Sequence, residues 1–401
     1  MTRPIPGGIT APAGFKAAGV ACGIKASGRP DLALIVSDHP ASAAGLFTTN
    51  RATAAPVVLS RAHLEATEGH ARAIVTNSGC ANACTGPGGA DSAWRMAVET
   101  ARAVGCEPEE VLVASTGVIG VALDMAKVGT GITAAAAALA ADQHAQAAQA
   151  IMTTDPFPKA HAVEVATPAG TFRVGGMAKG SGMIEPNLAT MLAYLTTDAS
   201  VEPLLLRRAL RDACDDTFNA ITVDGECSTN DSVFALANGA SGVRIDGALL
   251  GALVEGLHAV SLELALGIVR GGEGATKLVT VSVTGAASRA DARLAARAIA
   301  NSLLVKTAVH GGDPNWGRLV AVSGRSGAAF VLERARVTVG DVVLFENGLP
   351  FDDRAPDAAR ALLASEVVLA VDLGTGGRAE ATVWTCDLSA EYVRINAEYR
   401  T

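Results

Sequence analysis

The sequence predicts a layered α+β protein, built as one elaborate domain or two simpler ones. Three observations carry that expectation. The 401 residues are 49% apolar, enough to bury a large core. Only 4% of them are aromatic while 43 are glycine, so Ala, Val, Leu and Ile must fill that core between many tight turns. Finally, β-branched runs and amphipathic stretches mix along the chain without the strict alternation of a doubly wound sheet.

The elements follow in order. LALIVSD (32–38), ARAIVTNSG (71–79) and EVLVASTGVIG (110–120) read as strands, the last two running into glycine. Between the second and third, residues 91–105 have helical apolar spacing, Asp91 or Ser92 as a cap and Gly105 as a terminator. The alanine-rich residues 129–152 predict one further helix, and HAVEVATPAGTFRVGG (161–176) has the two alternating arms and central bend of a hairpin. Strands are then expected at 191–197, 219–225 and 232–238, with a helix at 202–214. A long helix ends near Arg270, followed by a strand at 277–285, a helix at 288–302, the turn GGDPNWGR (311–318), a strand at 319–324 and a hairpin at 336–348. No repeat, low-complexity linker or composition step marks a domain boundary.

Charge and composition exclude several classes. Acidic residues outnumber basic ones 40 to 32, for a net charge of -8, and no Lys/Arg run is interleaved with aromatics, so no nucleic-acid partner is expected. MTRPIPGGITAPAGF lacks the continuous apolar stretch of a secretory signal. The two most apolar long runs, 129–152 and 247–269, carry polar or charged residues such as Asp142, Glu255 and Glu263, and neither suits a membrane span. Seven cysteines, odd in number and scattered, fit a reducing cytoplasm and a role as small hydrophobes.

The common catalytic signatures are missing: no G-x-S-x-G elbow, P-loop, H-E-x-x-H pair or dinucleotide fingerprint occurs. GGEGATK (271–277) only superficially resembles a phosphate loop, since it leads into a strand-like segment. The seven histidines show no metal-ligand spacing. His310, just before GGDPNWGR, has no partner visible in the sequence and reads as structural.

The stretch KGSGMIEPNLATMLAYLTTDA (179–199) is the most informative one. A threonine hydroxyl is a poor nucleophile without a base, and a free α-amino group with a pKa of roughly 7.7 to 8 would serve as one. Cutting the chain between Ala189 and Thr190 would create that amine beside the Thr190 hydroxyl, and the glycines of KGSGM would let the backbone bend toward the attack. The residues alone leave this reading level with a second one, in which a glycine-rich surface loop precedes an ordinary buried strand.

K-G-S-G-M-I-x-P-N-x-A-T-M-L-x-x-x-T-T-D-A resembles the processing and nucleophile motif of the ornithine acetyltransferase family, also called bifunctional glutamate N-acetyltransferase/amino-acid acetyltransferase. ITAPAGFKAAGVACGIK, LFTTNRATAAPVVLSR, NSGCANACTG, STGVIG, IMTTD, FNAITVDGECSTND, GGEGATK, DPNWGR and INAEYRT follow in the family's order. Glu185, Leu188, Pro156 and Cys80 depart from its usual residues. The resemblance implies a four-layer αββα sandwich, shared with an N-terminal-nucleophile aminopeptidase family. It implies self-cleavage into an α chain (1–189) and a β chain (190–401), assembled as α2β2. It gives Thr190 as nucleophile and Thr116 with Gly117 as the oxyanion hole. Thr153, Lys179, Thr190, Glu273, Asn396 and Thr401 match the substrate-binding positions.

The implied reaction moves the acetyl group of N2-acetylornithine through Thr190 to glutamate, releasing ornithine and N-acetylglutamate, in the cytoplasm and in the cyclic route of arginine biosynthesis. It needs no cofactor or metal, with acetyl-CoA as a second donor in bifunctional members. Two alternatives are weighed beside it. A self-processing aminopeptidase or amidohydrolase would use water as the acceptor, and a non-catalytic scaffold would stay uncut.

Overall fold

The structure, a computed structural model, describes residues 1–185 and 191–398. The expected cleavage site Ala189/Thr190, the expected nucleophile Thr190 and the expected binding residue Thr401 lie outside the described residues. Two compact units are present, Met1–Asn219 with Glu226–Ile268, and Ala220–Gly225 with the chain from Val269 onward.

The first unit is built on a nine-stranded sheet. Its strands are β1 (Thr2–Pro4), β2 (Phe15–Val20), β3 (Leu32–Phe47), β4 (His70–Cys80), β5 (Val111–Val118), β6 (Lys159–Thr167), β7 (Gly170–Lys179) and β8 (Leu192–Thr197). β9 (Ser200–Val201) lies outside this sheet, and β10 (Ser232–Ala237) completes it; β11 (Arg244–Ile245) pairs with β9 alone. The order is β1-β6-β7-β8-β10-β3-β4-β5, with β2 added to β3. β4–β5 and β8–β10 run parallel and the remaining neighbours antiparallel, so the α+β class expected from the sequence is the class observed.

Strand periodicity explains how both faces of this sheet become buried. Leu34, Val36, Val75 and Val113 join one apolar cluster, whereas Ile35, Ile74, Leu112 and Ala114 join the other. Successive side chains point to opposite faces, and both faces are covered. Helices α1 (Ala55–Ala66), α2 (Gly86–Val104), α3 (Met125–Ala137), α4 (His144–Ala150), α5 (Pro203–Asp215) and α6 (Leu250–Arg270) belong to this part of the chain. α2 and α3 supply Met96, Ala97, Val128 and Ile132 to the first cluster, and α4 supplies Ala147, Ala148 and Ala150 to the second. By length and composition α6 could cross a membrane. Leu253, Leu257, Val260 and Leu264 are instead almost completely buried, at the helical spacing of a core-facing stripe.

In the second unit β12 (Leu278–Ala286), β13 (Arg336–Val339), β14 (Val342–Glu346), β15 (Leu349–Pro350), β16 (Glu366–Asp372) and β17 (Ala379–Cys386) form a sheet in the order β15-β14-β13-β16-β12-β17. α7 (Arg289–Ala300), α8 (Leu303–Gly311), α9 (Trp316–Arg325), α10 (Ala355–Ala361) and α11 (Ala390–Glu398) accompany it. Ser288 caps α7 by accepting from the Asp291 N–H at 3.1 Å. Ala292, Ala295, Ala296 and Ile299 then pack with Val279, Val281 and Val283 of β12.

Four expectations are corrected. The helix expected over 129–152 is two helices. Ala140 exchanges backbone hydrogen bonds of 3.1 Å with Ala17 of β2, and that bridge interrupts the alanine-rich run. Residues 219–225 are not a strand but a 3-10 turn at Phe218–Ala220 and a single bridge from Ile221 to Trp384. Residues 319–324 are helical, within α9. The Asn315 side chain caps that helix at 3.2 Å, and Leu319, Val322 and Ser323 bury a helical stripe, so local capping overrides β propensity. α2 begins at Gly86, earlier than Asp91, although it ends in the left-handed Gly105 as expected.

The crossing of α4 over β2 yields a stability test. A methyl at Gly19 would lie 2.0 Å from the Gln146 carbonyl oxygen, whereas one at Gly251 in α6 meets nothing within 4 Å. Gly19→Ala should therefore destabilise by about 1–3 kcal/mol, and Gly251→Ala should stabilise by about 0.5–1 kcal/mol, both read from denaturant midpoints. A neutral Gly19→Ala would refute the close packing.

Candidate active site

β5 ends in Ser115-Thr116-Gly117-Val118, held against the end of β4 by an irregular ladder in which Cys80 pairs with both Thr116 and Val118. The bulge is made possible by glycine. Gly117 has φ +129°, and a methyl on it would come within 2.4 Å of the Gly79 carbonyl carbon, so no side chain fits there. Behind the strand end lies a buried polar lattice. The Ser115 hydroxyl donates to Asn77 Oδ1 at 2.6 Å, and Asn230 Nδ2 donates to the carbonyls of Ala81 at 2.6 Å and Ser115 at 2.9 Å.

Lys179, the last residue of β7, is buried and donates from Nζ to Thr116 Oγ1 at 3.3 Å. Lys179 is in register with Leu192 of β8, and Leu192 with Ser232 of β10. Thr190 is two residues from Leu192 in the sequence, and the carbonyl of the intervening Met191 accepts from the Ser232 N–H at 3.0 Å. The end of β7 and the beginning of β10 thus lie beside the beginning of β8.

Asp155 organises one side of this region. Its carboxylate accepts from the Thr153 N–H at 3.0 Å, the Gly180 N–H at 2.7 Å and Lys159 Nζ at 2.6 Å. Both side chains of the Asp155–Lys159 pair are inaccessible to solvent. Burial by itself would raise the Asp155 pKa, but the charges of Lys179 and Lys159 prevail and hold it below the ordinary carboxylate range. Thr153, Lys179 and Thr116, which the sequence suggested as separate motifs, are therefore connected through one carboxylate and one ammonium.

Asp231 is different. It is buried immediately before β10, and its Oδ2 has no hydrogen-bond partner among the described residues. Burial raises its pKa well above the usual carboxylate range, which favours the neutral acid. Within the motifs IMTTD and FNAITVDGECSTND the sequence alone assigns no role to Asp155, Asn230 or Asp231. Lys159, four residues after Asp155, was a visible signal of the first; nothing local signals the others.

The second unit brings Glu273 and Asn396 together. Asn396 Nδ2 donates to Glu273 Oε2 at 2.8 Å and to the Tyr392 carbonyl at 3.0 Å, one turn earlier in α11. Glu273 itself is buried. Its loop is fastened on both sides: Ser389 donates to the Gly274 carbonyl at 2.6 Å, and Asp387 accepts from the Thr276 and Lys277 N–H groups at 2.8 and 2.9 Å. Asp387 also pairs with His310 Nδ1 at 2.7 Å, giving the histidine the partner that its sequence context did not reveal. Lys277 Nζ donates to the Val309 and Leu362 carbonyls at 2.8 and 2.6 Å, and the loop leads into β12 rather than a helix, so this is no phosphate loop.

An ammonium has no lone pair and can only donate, so Thr116 Oγ1 must accept from Lys179 and its own hydrogen stays available to an oxygen carrying negative charge. A hydroxyl prepared in that way, beside a glycine whose position leaves no room for a side chain, is chemically suited to an enzyme of acyl transfer. The chain belongs to the ArgJ family, which it matches over residues 16–401. Arginine biosynthesis bifunctional protein ArgJ of Symbiobacterium thermophilum is 52% identical to it over 99% of both chains. The protein of the same description from Thermosynechococcus vestitus is 49% identical over 100% of this chain and 99% of its own. Among solved structures, ornithine acetyltransferase from Mycobacterium tuberculosis in complex with ornithine is 44% identical, covering 47% of this chain and 100% of that one, with a TM-score of 0.44.

The site generates a pH-dependent prediction. Because the folded pKa of Asp155 is depressed, the unfolded state binds the extra proton in acid. This contribution to stability is present above the unfolded carboxylate pKa, about 3.9, and disappears as pH falls through that value toward the folded one. Asp155→Asn leaves Lys159 unpaired and should lose about 3–5 kcal/mol at neutral pH. A plot of melting temperature against pH should also lose part of its acid limb. An unchanged acid limb would refute the assignment.

Proposed function

We propose that this chain carries an acetyl group from N2-acetyl-L-ornithine to L-glutamate through an ester on Thr190, in arginine biosynthesis. The observation that carries the reading is the Lys179-to-Thr116 hydrogen bond of 3.3 Å, in a chain that matches the ArgJ family almost from end to end. Hydrolysis by a related aminopeptidase chemistry is the weaker reading, because the curated relatives are biosynthetic proteins.

In this proposal self-cleavage after Ala189 frees the α-amine of Thr190 as the base. Thr190 Oγ bonds to the acetyl carbon while its proton passes to that amine, the amide C–N bond breaks, and the departing ornithine nitrogen takes the proton. Glutamate then attacks with its unprotonated amine. Its surplus proton returns through the same α-amine to Thr190 Oγ as the ester C–O bond breaks. The oxyanion of both steps is met by the Thr116 hydroxyl and the Gly117 N–H, each such donor supplying roughly 2.7–4 kcal/mol.

Lys179 meets the α-carboxylate that both amino acids share. Glu273, held by Asn396, meets the ornithine ammonium, with Thr153 and Thr401 completing the contacts. The working assembly is an α2β2 tetramer in the cytoplasm, with no cofactor, and acetyl-CoA is a second donor to glutamate.

Intact-mass spectrometry under denaturing conditions tests the central step. The wild-type protein should appear as two chains divided between Ala189 and Thr190, and Thr190→Ala as one. An active wild type that stays whole would overturn the mechanism. In acetylornithine:glutamate assays Thr116→Val should lose about 100- to 1,000-fold in kcat, with Thr116→Ser retaining most of it; equal activities in all three would remove Thr116 from the oxyanion site.

A further inference from the structure

GVACGIK (19–25) has no role in the reaction described so far, yet it brings a second lysine to the same strand ends. Asp31 shapes this loop, accepting from the N–H groups of Cys22 at 2.7 Å, Ile24 at 2.7 Å and Lys25 at 2.9 Å. Lys25 is half-buried, and its Nζ donates to the neutral carbonyl of Pro30 at 2.8 Å. Among the described residues it forms no ion pair. Its stem lies against Gly79, where a methyl would come within 3.1 Å of Lys25 Cγ, and Gly79 is in register with Gly117.

The charged groups around this ammonium are Arg29 and Asp31 of its own loop, Asp155 beyond β5, and Lys179 on β7. Burial, helped by Arg29, lowers its pKa to about 8. Burying a charge is unfavourable unless an opposite charge meets it. The nearby carboxylates are already engaged: Asp31 by three backbone donors, Asp155 by Lys159 and two more. Lys25 is therefore a half-buried cation whose stem lies against Gly79, the register partner of Gly117, and whose ammonium is bonded to a neutral carbonyl and forms no ion pair among the described residues.

The chemistry of the two half-reactions names one. N2-acetylornithine carries a single carboxylate, whereas the glutamate acceptor carries two, and Lys179 accounts for the one they share. Lys159 is inaccessible behind Asp155. We propose that Lys25 receives the side-chain carboxylate of the acceptor, so that it selects an acidic amino acid in the second half-reaction. This rests on the acetyl-transfer reading.

The test separates the half-reactions in the self-processed protein. Acetyl-enzyme formation from N2-acetylornithine is followed by intact mass, and its discharge by glutamate is compared with discharge by glutamine, the neutral isostere. In Lys25→Met, acetylation by N2-acetylornithine should be unchanged. The kcat/KM for glutamate should fall about 10- to 100-fold, and the preference for glutamate over glutamine should shrink by the same factor, with Lys25→Arg restoring most of it. The preference is a ratio within one preparation, so partial misfolding leaves it unaffected, and Lys25→Gln serves if the methionine variant does not fold. An unchanged preference, or equal losses in both half-reactions, would overturn the role of Lys25. A wild type that forms no acetyl-enzyme would instead overturn acetyl transfer, and this proposal with it.

Discussion

The buried carboxylate of Asp155 is the constraint on which the lysine side of the site depends. Taking an ion pair out of water is expensive, and such a pair is weak evidence for stability in general. Its merit here is geometric. Three donors from three places in the sequence, the Thr153 N–H, Lys159 Nζ and the Gly180 N–H, converge on two oxygen atoms. None of them can move without leaving a charge or an amide unsatisfied in a dry interior. Gly180 is bonded directly to Lys179, so the carboxylate fixes the backbone from which that ammonium reaches Thr116.

Around this centre the protein is packed with small residues, and small residues permit close approaches that larger ones would prevent. Gly117 lies against Gly79, and Gly175 in β7 accepts a backbone so near that a methyl would meet the Gly8 carbonyl oxygen at 2.1 Å. Dispersion is gained at short range, so an alanine- and valine-rich core can be as dense as an aromatic one. The aromatic exceptions cluster: Tyr194 stacks on Phe234, which meets Phe47 edge-on, and the Tyr194 hydroxyl finds Thr76 at 2.8 Å.

Much of this was legible in the sequence where local patterns and tertiary demands agree. The hairpin of β6 and β7, the strand carrying Thr116-Gly117 and helix α7 follow from alternation, glycine and helical spacing. Local patterns mislead where distant residues decide. Ala140 leaves its helix to bond with Ala17, and Ile221 bridges to Trp384 instead of joining a strand, and neither partner is visible locally. The same limit applies to the site: Thr116, Thr153 and Lys179 were identified through family motifs, but the carboxylate that joins two of their segments was not. Its function is defined by three donors that no spacing rule connects.

The fastening of the Glu273 loop has a practical side. Ser389 and Tyr392 crowd Gly274 so tightly that a methyl there would sit 2.5 Å from the Tyr392 backbone nitrogen, and Asn396 holds the glutamate itself. Helix α11 is therefore part of the frame of Glu273, which precedes it by more than a hundred positions. A substitution that unwinds α11 would loosen that frame, whereas one in β1 acts on an edge strand of the other unit.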